Sequence, residues 1–533
     1  MTLIRQPDTR VLLILALPLA AFLLCLGGAP LFDVDEGAFS EATREMFERG
    51  DFLSTWLNDK PRFDKPILIY WLQAASYWCF GGILSVEWAF RLPSALAAIT
   101  WCYAIWHFAR PRFGPNTALA ALAVAATSIG PFAIGRAATA DALLNLLLAL
   151  SLFDAWRSLE SGHSRRAPLL RCYAWIGLGV LTKGPIALLV PGAVTLLYCA
   201  SRKDWRIWLR AMFNPYGWLI FALITVPWYA TILAMHGQDF IDGFILKHNV
   251  QRFTGTLEGH AGSIFYYILV VPVLLLPWTG SLFVSLRAVI TDSARRDGQH
   301  TSSGLRRYLW VWAGFVVLFF SLSGTKLPHY ALYGATPLFL LVAAHRDELR
   351  KPFAHLAPPT LLLALTIGLP TLCAALSAGG TVGNDYYRAL LAEAPLRAGA
   401  SYYAICGGAL LVWLLVLFVS RERSTLWDRL LFAACLQTAV LALAVTPWLG
   451  ATLQGPVKEA ALFTRSRPEP TVLWNLRTPS VSVYRDAVTP SRMPEAGEIA
   501  ITRIDRLPEQ GFEILFQRAG VAVVRGVTGA EHQ

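Results

Sequence analysis

The chain reads as an α-helical integral membrane protein, and three observations lead there. Of its 533 residues, 55% are hydrophobic and 15% charged, and the mean hydropathy is +0.48. A soluble domain carries about 25% charged residues. The apolar residues come in runs near the ~20-residue length that crosses a bilayer. The lysines and arginines gather in alternate short connections between those runs, the pattern of cytoplasmic loops.

About 13 spans are expected. They run over 11–30, 89–109, 117–134, 138–156, 170–182, 184–200, 217–235, 264–287, 308–322, 329–345, 356–377, 402–420 and 428–449. The first follows Arg5 and Arg10 as a signal peptide would, but its cleavage pattern is weak, so it is read as a retained transmembrane helix. The basic connections are Arg110 and Arg112; Arg157, Arg165 and Arg166; Arg202, Lys203, Arg206 and Arg210; Arg295, Arg296, Arg306 and Arg307; Arg346, Arg350 and Lys351; Arg421 and Arg423. They are expected inside. Residues 31–88, the turns near 135–137 and 182–185, and 236–263, 323–328 and 378–401 are expected outside. An odd number of spans puts the tail outside too. The formal net charge of +11 lies largely in the inner connections and argues against a nucleic-acid partner. The eight cysteines show neither disulfide nor zinc spacing.

The first outer loop, 31–88, is expected to hold two interfacial helices. EGAFSEATREMFERG places Phe39, Ala42, Met46 and Phe47 on one face, and Ile67–Phe80 is aromatic but short for a span. The chain divides into 1–450, transmembrane, and 451–533, a small outer α/β domain. In the latter, TVLWNL, SVSVY, EIAITRI, FEILFQ and VAVVRG alternate like strands, with a hairpin about Arg518–Gly520. No internal repeat or low-complexity tract is visible.

The residues that promise chemistry lie in the outer segments. Asp35-Glu36 follows the first span; such a pair takes a proton, orients a hydroxyl or binds a metal, or else simply starts a helix. In Arg62-Phe63-Asp64-Lys65-Pro66, Lys65 supplies a point charge for a phosphate or anchors at the interface, and Asp64 pairs with it or ligates a cation. Arg136 and Asp141 stand at an outer helix entrance, where Asp141 alone would serve as a cap. Lys183 in LTKGP and Lys326 in SGTKLPHYALY run against the inside preference for positive charge, and His329 and Tyr330 follow Lys326 closely. In KHNVQRFTG, His248 and Arg252 are four residues apart; they are candidates for a metal or a phosphate, although a lone histidine is more often structural. There is no glycine pattern for a nucleotide. A transporter or lipid flippase is the competing class, but it calls for repeats and charge at mid-depth.

These motifs resemble the GT-C superfamily of membrane glycosyltransferases, in the bacterial branch related to protein O-mannosyltransferases, and within it the transferases that glycosylate lipid A from undecaprenyl phosphate. The likeness covers roughly 10–450 and rests on DVDEGAFSEATREMFERGDF, FDKPILIYWL with FRLPSALAA, LTKGPIAL and KLPHYALYGATPLFLL. It implies a GT-C fold with a periplasmic C-terminal domain, in a bacterial inner membrane with the active site facing the periplasm. It implies a polyprenyl-phosphate-linked sugar as donor, lipid A or another envelope glycan as acceptor, and inversion at the sugar carbon. Asp35, Asp141 and Tyr330 then take catalytic roles, and Lys65, Arg252, Lys183 and Lys326 hold the donor phosphate. Asp64 and His248 are the ligands of any divalent cation, the one cofactor expected. Two positions depart from the pattern: Asp64 stands where Glu is usual, and Gly37-Ala38 replace Thr-Arg after the first acidic pair.

Overall fold

The computed structural model describes residues 9–160, 166–251, 262–292, 300–419, 424–508 and 511–526. Arg252 lies outside the described residues, as do the loop residues Arg165, Arg295, Arg296, Arg421 and Arg423. Each expected span falls on helix. By length and composition, six helices among the described residues are long and apolar enough to cross a membrane, or up to eight if each of two bent pairs is one span. This is a multi-pass membrane protein. The other expected spans fall short for visible reasons. Helix α1 (Thr9–Leu23) has 15 residues. Helix α4 (Val86–Phe113) carries Glu87, Arg91, Arg110 and Arg112. The run 329–345 divides into a 3-10 turn, Pro328–Gly334, and a 10-residue helix, Ala335–Ala344.

Helix α2 (Asp35–Arg49) begins with Asp35 and Glu36 in its first turn, where carboxylates meet the positive helix end. It ends at Gly50, whose φ of 66° is the left-handed cap geometry. A two-residue turn at Asn58-Asp59 joins strands β1 (Trp56–Leu57) and β2 (Lys60–Pro61). Helix α3 (Leu68–Phe80) then packs on α2 and α4. The bent pair α5 (Pro115–Thr127) and α6 (Ile129–Gly135) turns by 61°. Helices α7 (Asp141–Glu160), α8 (Arg166–Lys183) and α9 (Ile186–Ser201) follow as an antiparallel set, with Gly184 at φ 78° in the α8–α9 turn. A Cβ at Gly184 would stand 2.7 Å from the Phe244 ring, so both conformation and space call for glycine. Short helix α10 (Trp205–Met212) leads to α11 (Pro215–Phe240) and a π-helical stretch, Ile241–Gln251.

Burial separates an inner from an outer set. The most apolar window of α7 is 78% buried, whereas those of Pro352–Ala378 and Ala400–Val419 are 22% and 17% buried, leaving large apolar side chains such as Leu361 and Phe418 for lipid.

The C-terminal segment forms a four-stranded sheet in the order β3-β4-β6-β5: β3 Thr471–Trp474, β4 Ile499–Arg503, β5 Phe512–Arg518 and β6 Val521–Gly526. The β5–β6 hairpin lies where the sequence put it. SVSVY does not form a strand: Ser480–Arg485 is a helix, with every residue from Ser480 to Tyr484 buried. Its short alternation was outweighed by packing against α2. Ser480 donates its backbone N–H to Asp33 at 3.0 Å and its hydroxyl to the other Asp33 oxygen. Ser482 Oγ donates to Asn58 at 2.7 Å. The same contact explains α2, expected to bury a single face. Residues 36 to 46 are all buried, because α3 and the helix Ser480–Arg485 both pack on it.

Candidate functional site

One cavity, of about 230 Å³, is lined by Asp64, Lys65, Lys183, His248 and Tyr330, five residues that the sequence singled out from four separate segments. Tyr333, Ser323, Phe244, Phe319 and Phe320 complete much of its wall.

Two carboxylates order its cations. At the start of α7, Asp141 Oδ1 stands 2.5 Å from Lys183 Nζ at the end of α8. It also accepts a hydrogen bond from Tyr333 OH at 3.2 Å and lies 3.7 Å from His329 Nε2. Lys183 Nζ sits 5.7 Å from the centres of the Tyr330 and Tyr333 rings, whose faces favour a cation. In the loop before α3, Asp64 Oδ1 is 2.5 Å from Lys65 Nζ and 3.0 Å from His248 Nδ1, and Asp64 Oδ2 accepts from Arg62 at 3.0 Å. Burial would raise the Asp64 carboxyl, but Lys65, Arg62 and His248 outweigh it and hold it below the usual carboxylate range.

Asp35 opens α2 close enough to feel both groups. Burial pushes its carboxyl above the usual range, Asp141 and Asp64 push the same way, and Lys65 and Lys183 oppose them. Its side chain remains open to solvent, so the neighbouring charges matter alongside burial.

Glu36, one residue on, points elsewhere. Its carboxylate accepts from Arg91 at 2.7 and 2.9 Å, from the Phe32 N–H at 2.8 Å and from the Ala138 N–H at 2.6 Å. A helix turns about 100° per residue, so adjacent acids part company: Asp35 is open and Glu36 is a buried brace. Arg136 is also structural, donating to the Ala21 and Cys25 carbonyls at the end of α1 at 3.1 and 2.9 Å.

Lys326 stands apart from these groups. It does not line the cavity. Its buried ammonium donates to the carbonyls of Ser321 and Ser323 at 3.1 and 2.7 Å, closing the C-terminal end of the helix His300–Leu322. A lysine opposing the positive-inside bias has two uses, and here the helix end takes it.

The pairing of Asp64 with His248 does not suit a divalent cation. Among the described residues no group of three or more His, Cys, Asp and Glu is placed to hold a metal. The Asp64 carboxylate already meets two cationic side chains, which would repel a third positive charge.

Tyr333 and His329 were not assigned roles from the sequence. The signal was present in YALY. In a 3-10 helix residues three apart eclipse, so Tyr330 and Tyr333 in Pro328–Gly334 both reach Lys183.

The profile of the dolichyl-phosphate-mannose-protein mannosyltransferase family matches residues 64–230, which carry Asp64, Lys65, Asp141 and Lys183. The chain is 28% identical over 360 residues, 67% of its length, to the undecaprenyl phosphate-alpha-4-amino-4-deoxy-L-arabinose arabinosyl transferase of Edwardsiella ictaluri. It is 30% identical over 350 residues, 63% of its length, to the enzyme of that name from Erwinia tasmaniensis. The matches span 62% and 59% of those relatives. In fold, it is similar to the crystal structure of ArnT from Cupriavidus metallidurans bound to undecaprenyl phosphate, with a TM-score of 0.79 and 22% identity, covering 99% of this chain and 100% of that one. The apo form of the same protein matches with a TM-score of 0.75 at 21% identity, covering 97% of both chains. The chain therefore has the fold of ArnT and is similar in sequence to the undecaprenyl-phosphate aminoarabinose transferases.

Proposed function

We propose that the chain is an inverting glycosyltransferase that moves a sugar from a polyprenyl phosphate to an envelope acceptor, lipid A or another glycolipid or glycan, in a bacterial inner membrane with the cavity facing the periplasm. The observation that carries this reading is the 230 Å³ cavity that Lys65 and Lys183 both line, among aromatic and aliphatic walls. Cations beside apolar surface suit a phosphate that arrives on a lipid.

Lys65 and Lys183 hold the donor phosphate and stabilise the charge it gains as it leaves. Asp64 and Asp141 keep those ammonium groups in place until the phosphate arrives. The acceptor oxygen attacks the sugar carbon from the face opposite the phosphate. The carbon–oxygen bond breaks, and its electron pair leaves with the polyprenyl phosphate. A hydroxyl acceptor gives its proton to Asp35, whose proton affinity burial and the neighbouring carboxylates raise, making it a stronger base. A phosphate acceptor is already ionised, and Asp35 then positions it. Tyr330 and Tyr333 shape the pocket. No step uses a metal. The site lies where loops meet helix ends, at the starts of α2 and α7 and the end of α8; a transporter site belongs at mid-depth.

The test is transfer in proteoliposomes, with undecaprenyl phosphate carrying radiolabelled sugars as donor and envelope lipid as acceptor. Label reaching an acceptor with the wild type and not with Asp35→Asn or Lys65→Ala is the expected result. Folded variants that behave as the wild type, with no donor consumed by any of them, would overturn the reading.

A further inference from the structure

The end of the bundle away from the candidate site holds a polar cavity beside an apolar groove, and the transfer reaction uses neither. Helix α7 starts at Asp141 and ends at Glu160; its 20 residues reach roughly 30 Å at about 1.5 Å per residue. Helix α8 returns from Arg166 to Lys183. At the far end α4, α7 and α8 enclose a cavity of about 1430 Å³, lined by Arg110, Arg112, Arg157, Arg166 and Arg171 against the carboxylates of Asp154 and Glu160. Arg112 pairs with Glu160 at 2.5 Å, and Arg157 and Arg171 both pair with Asp154 at 2.8 Å. Arg110 and Arg166 make no ion pair among the described residues, so the cavity keeps a cationic excess.

Arg166 also lines a second space, a groove of about 290 Å³ walled by apolar side chains of α7, α8 and α9 and by α10. Helix α10 buries no residue. It turns Ile207, Trp208 and Met212 to the groove, with Arg210 beside them. An amphipathic helix of this composition suits a membrane interface.

We propose that this end binds an anionic glycerophospholipid, its phosphate headgroup in the cavity at Arg110 and Arg166 and one acyl chain in the groove under α10. Three features select that occupant. The cavity is cationic, the groove is apolar, and Arg166 belongs to both, as the junction of a charged head and an apolar tail requires. Basic pockets between transmembrane helices bind anionic headgroups in this way. A zwitterionic lipid would leave the arginine charge unbalanced, and a free phosphate would leave the groove empty.

The test reads lipid retained by the purified full chain in native mass spectrometry, and so is independent of any transfer activity. The probes are dioleoylphosphatidylglycerol and dioleoylphosphatidylcholine, with glycerol 3-phosphate as the chainless competitor. One variant is Arg110→Gln with Arg166→Gln. The other is Gly192→Leu, because Gly192 lines the groove and a Cβ there meets no atom within 4 Å, so the new side chain fills the groove rather than the core. Each variant is expected to lower phosphatidylglycerol retention by roughly fivefold or more, with phosphatidylcholine and the melting temperature unchanged and glycerol 3-phosphate without effect. Equal retention in both variants would overturn the proposal. So would displacement by glycerol 3-phosphate, which would mark a free-phosphate site, or a loss confined to the arginine variant, which would leave the groove without its acyl chain.

Discussion

The two ends of this bundle treat positive charge in opposite ways. At the end that holds α2 and the start of α7, the cations lining the cavity are matched: Lys183 by Asp141, and Lys65, together with neighbouring Arg62, by Asp64. At the other end five arginines face Asp154 and Glu160, which pair with three of them among the described residues, and an excess remains. The difference follows from what surrounds them. The first set is shut away among aromatic rings, where an unmatched charge costs several kcal/mol. The second sits at basic helix ends, where water or lipid headgroups screen it. A matched, desolvated cation is held in position and can exchange its carboxylate for a phosphate, as preorganised stabilisation of a leaving group requires.

The largest expected effect comes from breaking the match. Lys65→Ala and Lys183→Ala should each lower transfer by about 10²–10³-fold, measured as labelled sugar passed to acceptor at saturating donor, whereas Arg166→Gln should stay within about twofold. Comparable losses at both ends would abolish the contrast.

Next are the adjacent acids. Glu36→Gln leaves buried Arg91 without its partner carboxylate and should cost about 3–5 kcal/mol of stability, read as a lowered melting temperature. Asp35→Asn should leave the melting temperature nearly unchanged and sharply reduce turnover. The pH profile sharpens this. Because burial and neighbouring carboxylates raise Asp35, a reaction that needs its ionised form should fall off on the acid side at a pH above the ordinary carboxylate range. That limb should vanish from the residual activity of Asp35→Asn.

The smallest effect concerns Asp33, which ties the C-terminal helix to the first loop. Burial pushes its carboxyl from the ordinary 3.8 up to about 7, against hydrogen bonds from Ser480. A raised value in the folded state means the stabilisation is full below about 4 and is lost as pH rises through about 7. Asp33→Asn should therefore gain stability relative to wild type at pH 8, by roughly 2–4 °C in Tm, and the gap should close below pH 4. A constant difference across pH would show that Asp33 does not titrate in this contact.

What the sequence made legible was charge set against an apolar background. Asp64, Lys65, Asp141 and Lys183 stood out because a bilayer leaves few reasons for them; Asp64, Lys65 and Lys183 line the cavity, and Asp141 pairs with Lys183 behind it. Packing between distant segments was not legible. Burial on both sides of α2, the brace from Glu36 to Arg91 and the helical state of SVSVY all depend on contacts far along the chain. Lys326 shows the limit from the other side: residue type and location matched a phosphate ligand, but the nearby carbonyls of Ser321 and Ser323 claim it. Tyr333 was missed because a period of three is easily taken for an ordinary helical turn.

The most direct test is the affinity of the full chain for undecaprenyl phosphate, measured by quenching of its intrinsic tryptophan fluorescence, in wild type, Lys65→Ala, Lys326→Met and the variant with Arg110→Gln and Arg166→Gln. The expected result is at least a tenfold weakening for Lys65→Ala, about 1.4 kcal/mol, with the other two variants close to wild type. Unchanged affinity in Lys65→Ala, with weakening only in the arginine variant, would place the polyprenyl phosphate at the opposite end and contradict the account.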